Sequence, residues 1–199
     1  MLASISPVGE ASRGSRWPIT VTWYVVGSVA GGILIGALSG GVGQLLSGVG
    51  LLPPPMAIAL LVVAAVVGLI ADGRRRLPSL RRQVDERWLT TYRGWVYGVG
   101  FGFQLGGALF TTVTASATYV ALLGALATGS WWAGALIGGW FGFVRSLPLV
   151  GTAGVHSAEA LRALHRRINA HTDTVARATA VTQTGVVIGA VLLGAEVLT

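Results

Sequence analysis

The stretch GSVAGGILIGAL, at residues 27–38, recurs 71 positions later as GVGFGFQLGGAL, at residues 98–109. Over residues 27–52 the two copies are identical at ten of 26 aligned pairs, and the match resumes one residue out of register at Arg75 and Arg145. Both copies lie within long apolar runs. Internal repeats of this kind are frequent in membrane proteins with several spans. The pattern therefore predicts a membrane protein with a tandem repeat of about 71 residues.

The composition supports the same class. Hydrophobic residues make up 53% of the chain and charged residues 11%, and the mean hydropathy is +0.71. These values lie outside the range of soluble domains. The 30 glycines fall inside apolar runs, where small residues let helix backbones approach closely. The chain has no cysteine, which excludes disulfides, thiolate metal sites and thiol redox chemistry on its own residues.

Five apolar runs are long enough to cross a bilayer, since about 20 helical residues suffice. The sequence therefore predicts an all-α fold, a polytopic membrane bundle of five transmembrane helices. The predicted spans are Ile19–Leu52, Met56–Ala71, Trp95–Thr128, Trp131–Val150 and Val181–Leu198.

The distribution of arginines predicts the orientation of these spans. The N-terminal tail carries a charge of +1, residues 72–93 carry +4 and residues 145–177 carry +3, whereas the loops at 47–55 and 127–131 carry none. Positive segments remain on the cytoplasmic side. We therefore expect a multi-pass protein of the plasma (inner) membrane, with the N-terminus cytoplasmic and the C-terminus outside. The first apolar run is predicted to be a retained signal anchor. The basic clusters border spans, which favours anionic lipid over nucleic acid as their partner.

Two cytoplasmic connections have apolar residues on one helical face and predict amphipathic helices lying in the membrane interface, at 80–95 and 157–178. The predicted architecture is a parallel repeat closed by a fifth span. Its parts are a cytoplasmic tail (1–18), repeat 1 (19–93), repeat 2 (94–178) and a closing helix (179–199).

The first and third runs have about 30 residues each, more than a straight crossing needs. Near its middle, each run contains a less apolar stretch, at 39–44 and 110–116, in which Gly, Ser and Thr are concentrated. One interpretation is that both helices break there and form a binding site near the midplane. The other is that the helices are long or tilted and that the small residues only pack. Under either interpretation, Gly36 and its repeat equivalent Gly107 are predicted to lie at close helix crossings.

The candidate site consists of Gln44, Gln104, Thr111 and Thr114, polar residues in or near these two less apolar stretches. They are predicted to bind a neutral or weakly charged solute between the repeat halves. The alternative is that the glutamines only bond neighbouring helices.

No catalytic residue, metal site or cofactor is predicted, and the chain is not expected to be an enzyme. The three histidines match no ligand motif. The predicted spans contain no acid except Glu196 near the outer end of the last one. Arg145 is interpreted as reaching towards the inner headgroups.

The repeated glycine-rich span with a less apolar stretch near its centre resembles the transmembrane modules of the CcdA and DsbD type, in general design and in segments such as Gly98–Leu109. This resemblance implies a membrane module that moves reducing equivalents through paired cysteines. Since this chain has no cysteine, that activity is not carried over, and the resemblance implies a cysteine-free relative of transporter-like membrane proteins.

Two functions follow as alternatives. The first is a small-solute transporter or permease-like protein. The second is a non-transporting membrane subunit that docks or stabilises a partner complex. The expected partners are the lipid bilayer and either a second copy of the chain or a membrane partner subunit.

Overall fold

The computed structural model describes residues 5–74, 91–107 and 116–198. These residues contain no β-strand, and the predicted all-α membrane bundle is confirmed. Their helices, in chain order, are α1 (Pro7–Ser12), α2 (Trp17–Gly48), α3 (Pro54–Gly73), α4 (Gly94–Gly106), α5 (Ala117–Ala127), α6 (Trp131–Val150), α7 (Ala158–Ala170) and α8 (Thr172–Leu198).

Four helices in the described ranges are long and apolar enough to cross a membrane: α2, α3, α6 and the part of α8 at residues 173–192. Their outward surfaces are apolar too, since Leu45, Leu136 and Leu192 are each more than 60% exposed. A soluble protein would cover such side chains, whereas lipid solvates them. Together with the interrupted crossing formed by α4 and α5, these helices suit a multi-pass membrane protein.

The first predicted span is one continuous helix. Helix α2 begins at Trp17, with Pro18 in its first turn, and runs for 32 residues to Gly48. At 1.5 Å per residue its length is about 48 Å, more than the hydrocarbon thickness of about 30 Å. The glycine-rich stretch at 39–44 therefore does not break it. The helix ends where Gly50 adopts a positive φ of 74°, a conformation that favours glycine.

The third predicted span consists of two shorter helices. Helix α4 has 13 residues and α5 has 11, so each is too short to cross the hydrocarbon region alone. Both run along α2 in the same direction, because Gly98 lies at Thr20 and Leu126 lies at Gly43. The described residues of α4 and α5 thus lie along the same crossing. The less apolar stretch at 110–116 falls between them, and residues 108–115 lie outside the described ranges.

Glycines place α2 in backbone contact with α4 on one side and with α6 on the other. A Cβ atom at Gly27 or Gly31 would collide with carbonyl oxygens of α4. A Cβ atom at Gly36 would collide with the carbonyl oxygen of Gly134 in α6. The prediction that Gly36 lies at a close crossing is thereby confirmed, and its repeat equivalent Gly107 is buried against Gly31. Such contacts hold helices together in lipid, where apolar side chains have no net tendency to associate.

The second segment predicted to be an interfacial helix, at 157–178, contains a helix that is shorter than expected. Helix α7 ends at Ala170, and α8 begins at Thr172 rather than at Val181. Ser157 caps α7 by accepting the N–H of Ala160 at 3.1 Å. Asp173 lies in the first turn of α8, where the helix dipole favours an acid. These start signals divide the 157–178 segment into two helices. Of the other predicted interfacial helix, at 80–95, residues 80–90 lie outside the described residues.

Candidate functional site

The residues predicted to bind a solute do not all fall within the described structure. Gln44 is exposed on α2 and Gln104 is half-buried on α4. Helix α4 places Gly106 opposite Ser28, which is 16 residues, or about 24 Å, before Gln44 along α2. The two glutamines therefore lie at different heights and are not neighbours. Thr111 and Thr114 lie outside the described residues, and the site composed of these four residues remains a prediction.

A narrow cavity lies between α2, α5 and α6, next to the point where α4 ends. Its lining includes Gly36, Thr118, Gly138 and Phe141. Its volume is about 10 Å³, which is about the space that one water molecule needs.

Arg145 points into the bundle beside this cavity. Its Nη1 lies 3.4 Å from Thr118 Oγ1, and its guanidinium carbon lies 5.6 Å from the centre of the Phe141 ring. The side chain is half-buried and Thr118 is buried. The sequence-based interpretation, in which Arg145 reaches towards the headgroups, thus differs from the observed position. An intramembrane cation that contacts another helix is typical of a functional or structural polar site.

A polar cluster joins three helices where α5 begins. The carboxylate of Asp72, in the last turn of α3, accepts the Ser116 O–H at 2.6 Å and the Ser116 N–H at 3.0 Å. Gln183 of α8 donates its Nε2 to Ser116 Oγ at 2.5 Å. Ser116 and Gln183 are 1% and 2% exposed. We call Asp72, Ser116 and Gln183 the α3/α5/α8 cluster.

Local structure explains how these side chains meet. Gly68 lies one turn before Asp72, and a Cβ there would come within 2.9 Å of the Ser116 side chain. The missing side chain thus leaves space for Ser116. The first N–H groups of a helix have no partner within the helix and attract negative charge. The amide of Ser116, immediately before α5, therefore binds the Asp72 carboxylate.

Sequence reasoning missed this cluster for identifiable reasons. The sequence places Asp72 in a cytoplasmic connection because a run of arginines begins two residues later, whereas the structure places it inside α3. The expectation that the spans hold no acid except Glu196 is therefore corrected, because the candidate spans at 54–73 and 173–192 include Asp72 and Asp173. Gln183 is not among the residues predicted for a site, although it lies within the last predicted span, two residues after its start at Val181. A search for every amide within or beside a span would have found it.

A second buried cluster fixes the N-terminal segment. Glu10 of α1 has no exposed surface and accepts hydrogen bonds from Arg13 at 2.6 Å, Thr20 at 2.7 Å and the Tyr97 hydroxyl at 2.6 Å. Trp17 Nε1 also donates to the Ile5 carbonyl at 3.2 Å. Burial would lower the pKa of Arg13, but its hydrogen bonds to Glu10 and Tyr97 outweigh that effect and raise the pKa above its ordinary value. Residues 5–16 are thus folded onto α2 and α4, although the sequence predicted only a tail there.

The described residues contain no group of three or more His, Cys, Asp or Glu side chains that could hold a metal ion together. The α3/α5/α8 cluster has instead one carboxylate, one hydroxyl and one amide. Such an oxygen-rich set suits polar or hard cationic ligands rather than a transition metal.

The fold and its two buried polar clusters define a polytopic α-helical membrane protein with a close-packed glycine core. Residues 2–192 match the family described as the cytochrome c biogenesis protein transmembrane region, and the chain belongs to this family. The resemblance to CcdA- and DsbD-type modules is thereby confirmed.

One curated relative is the methylamine utilization protein MauF of Methylophilus methylotrophus, which is 29% identical over 155 residues. The matched region covers 74% of this chain and 53% of that protein, so the chain spans about half the length of this relative. No solved structure matches the chain.

Proposed function

We propose that the protein is a membrane subunit of a system that matures a redox protein, and that it docks or stabilises a partner without carrying electrons on thiols of its own. The observation that carries this proposal is the combination of family membership with a chain that has no cysteine. A dithiol relay needs two thiols that exchange a disulfide. The residues of this chain supply neither, so its contribution to such a system must be a different one.

The packing of the core supports a scaffold role. Helix α2 contacts α4 and α6 through backbone atoms, and Ser28 donates to the Gly142 carbonyl at 2.7 Å from a fully buried position. The neighbouring cavity has room for about one water molecule. A rigid helix pair suits a subunit that presents a fixed surface.

The docking surface that we propose is α7. Arg162, Arg166 and Arg167 are exposed on it, while Leu161 and Leu164 are half-buried. With the predicted orientation, this basic face lies at the cytoplasmic side of the plasma membrane. A partner with an acidic surface, or the anionic headgroups around the complex, would complement it.

Deleting the gene in its own organism tests the proposal. Mature c-type cytochromes are measured by haem staining, and growth is measured with methylamine as the nitrogen source. We expect a defect in at least one of the two, restored by the wild-type gene. Unchanged cytochromes together with unchanged growth would contradict the proposal. A photoreactive residue at Arg166 should crosslink to the protein whose maturation fails, and one at the lipid-facing Leu136 should not.

Solute transport is a second candidate, favoured by the helix ends at Gly106 of α4 and Ala117 of α5. Helix ends inside a membrane leave N–H and C=O groups that a polar solute can bind. Single cysteines at Thr111 and at Gln44 separate the two functions, since the chain has no other thiol. Labelling of Thr111→Cys by a membrane-impermeant maleimide, blocked by a solute, would favour transport. Absence of labelling would favour the subunit. The positive control is Ser12→Cys, on the exposed end of α1, labelled in membrane fragments in which the reagent reaches both faces.

A further inference from the structure

We propose that the α3/α5/α8 cluster binds one small monovalent cation, with Na⁺ as the representative ion. The ligands are the carboxylate of Asp72, the hydroxyl oxygen of Ser116 and the amide oxygen of Gln183. This inference goes beyond the proposed function and does not depend on it, because a docking subunit or a transporter could equally contain such a site.

One hydrogen-bond acceptor of the cluster has no donor. Ser116 donates its O–H to Asp72 and accepts the Nε2 donor of Gln183. That arrangement fixes the amide of Gln183, whose Oε1 is then buried without a hydrogen-bond donor. Buried amide oxygens are nearly always paired. The remaining group at this position is therefore a donor or a cation.

The charge of the cluster favours a cation. Asp72 contributes one negative charge, and the ion pair found in the described part of the chain joins Arg13 to Glu10, far from this cluster. The positive N-terminal end of α5 is offset by the negative C-terminal end of α3, in whose last turn Asp72 lies. Arg74 follows Asp72 two positions later and is exposed, and Arg145 on α6 contacts Thr118. A single positive charge would neutralise the carboxylate.

The chemistry of the ligands favours a hard ion. All three ligand atoms are oxygens, which hard cations prefer over nitrogen or sulfur. In membrane proteins, such ions bind at helix ends where polar groups are available. The cluster lies at the start of α5, where Ser116 is the N-cap residue. One carboxylate among neutral ligands matches a monovalent ion, since divalent ions usually bind to several carboxylates.

Thermal unfolding of the purified protein in detergent tests the site. NaCl replaces choline chloride at constant ionic strength, and Tm is followed by tryptophan fluorescence. We expect a saturable rise in Tm of about 5 °C when Na⁺ exceeds its Kd about a hundredfold. K⁺ is examined in the same way, and a rise with either ion supports the proposal. A Tm that does not respond to either ion would overturn it.

Single substitutions show which residues are needed for the ion-dependent rise in Tm. Asp72→Asn and Gln183→Leu should abolish the ion-dependent rise, whereas the matched controls Asp173→Asn and Gln44→Leu, at exposed positions, should retain it. A rise that persists in Asp72→Asn would place the ion elsewhere and overturn the site. Should a cluster variant fail to fold, binding of radioactive ²²Na⁺ to the unmodified protein decides. Saturable binding of about one ion per chain is expected, and its absence would show that a water molecule or a proton on Asp72 completes the cluster instead.

Discussion

The two sides of the bundle are held together by different means. On one side, α2 contacts α4 and α6 through glycines and backbone carbonyls. On the other side, α3, α5 and α8 meet around Asp72, Ser116 and Gln183, which are linked by hydrogen bonds. The glycine contacts tolerate no added atom, whereas the polar contacts depend on individual donors and acceptors. We therefore expect the first side to be sensitive to side-chain volume and the second to be sensitive to chemistry.

The largest effect is expected for Gly36→Leu in the α2–α6 contact. A side chain there would collide with the backbone of Gly134, so that the helices must separate, with a loss of about 3 kcal/mol in the free energy of unfolding. Thermal unfolding in detergent measures the loss. The matched control is Gly41→Ala, where an added Cβ would meet only the Trp131 side chain, at 3.9 Å, and stability should not fall. Equal stability of the Gly36 variant and the control would contradict the close packing.

Glu10→Gln should have the next largest effect. The substitution removes the charge that Arg13, Thr20 and Tyr97 share through hydrogen bonds. Charge-assisted hydrogen bonds are stronger than neutral ones, and we expect the free energy of unfolding to fall by about 2 kcal/mol. The control is Glu159→Gln in the exposed first turn of α7, which should leave Tm unchanged. A stable Glu10 variant would mean that α1 is not anchored through this carboxylate.

Ser28→Ala measures the contribution of one hydrogen bond to the contact of α2 with α6, without adding side-chain volume. The substitution removes only the hydroxyl that donates to the Gly142 carbonyl at 2.7 Å. The expected loss is about 1 kcal/mol, in the range of hydrogen bonds between transmembrane helices. Ser12→Ala is the control, because its hydroxyl bonds within its own short helix at an exposed position. A loss for Ser28→Ala as large as that for Gly36→Leu would contradict the distinction between the two sides.

Composition and periodicity predicted the membrane class, the span of α2 and the close crossing at Gly36, because apolar run length and small residues act locally. The position of Asp72 was not predictable in this way. A run of arginines begins two positions after it, and only the packing of α3 against α5 and α8 brings it to Ser116. The folded N-terminal segment was missed for the same reason, since Glu10 meets Tyr97 across 87 positions of sequence.

Gln44→Leu should have the smallest effect, and it tests whether the binding site predicted from the sequence exists. Gln44 is exposed on α2, and the described residues give its side chain no hydrogen bond to a neighbouring helix. Replacing an outward-facing amide by leucine removes no packing contact and suits a lipid environment, so Tm should not change measurably. Complementation of the deletion strain is the second measurement, and normal function is expected. A variant that folds normally but fails to complement would show that Gln44 acts on a ligand or a partner, and the solute site of Gln44, Gln104, Thr111 and Thr114 would then be favoured over the scaffold role.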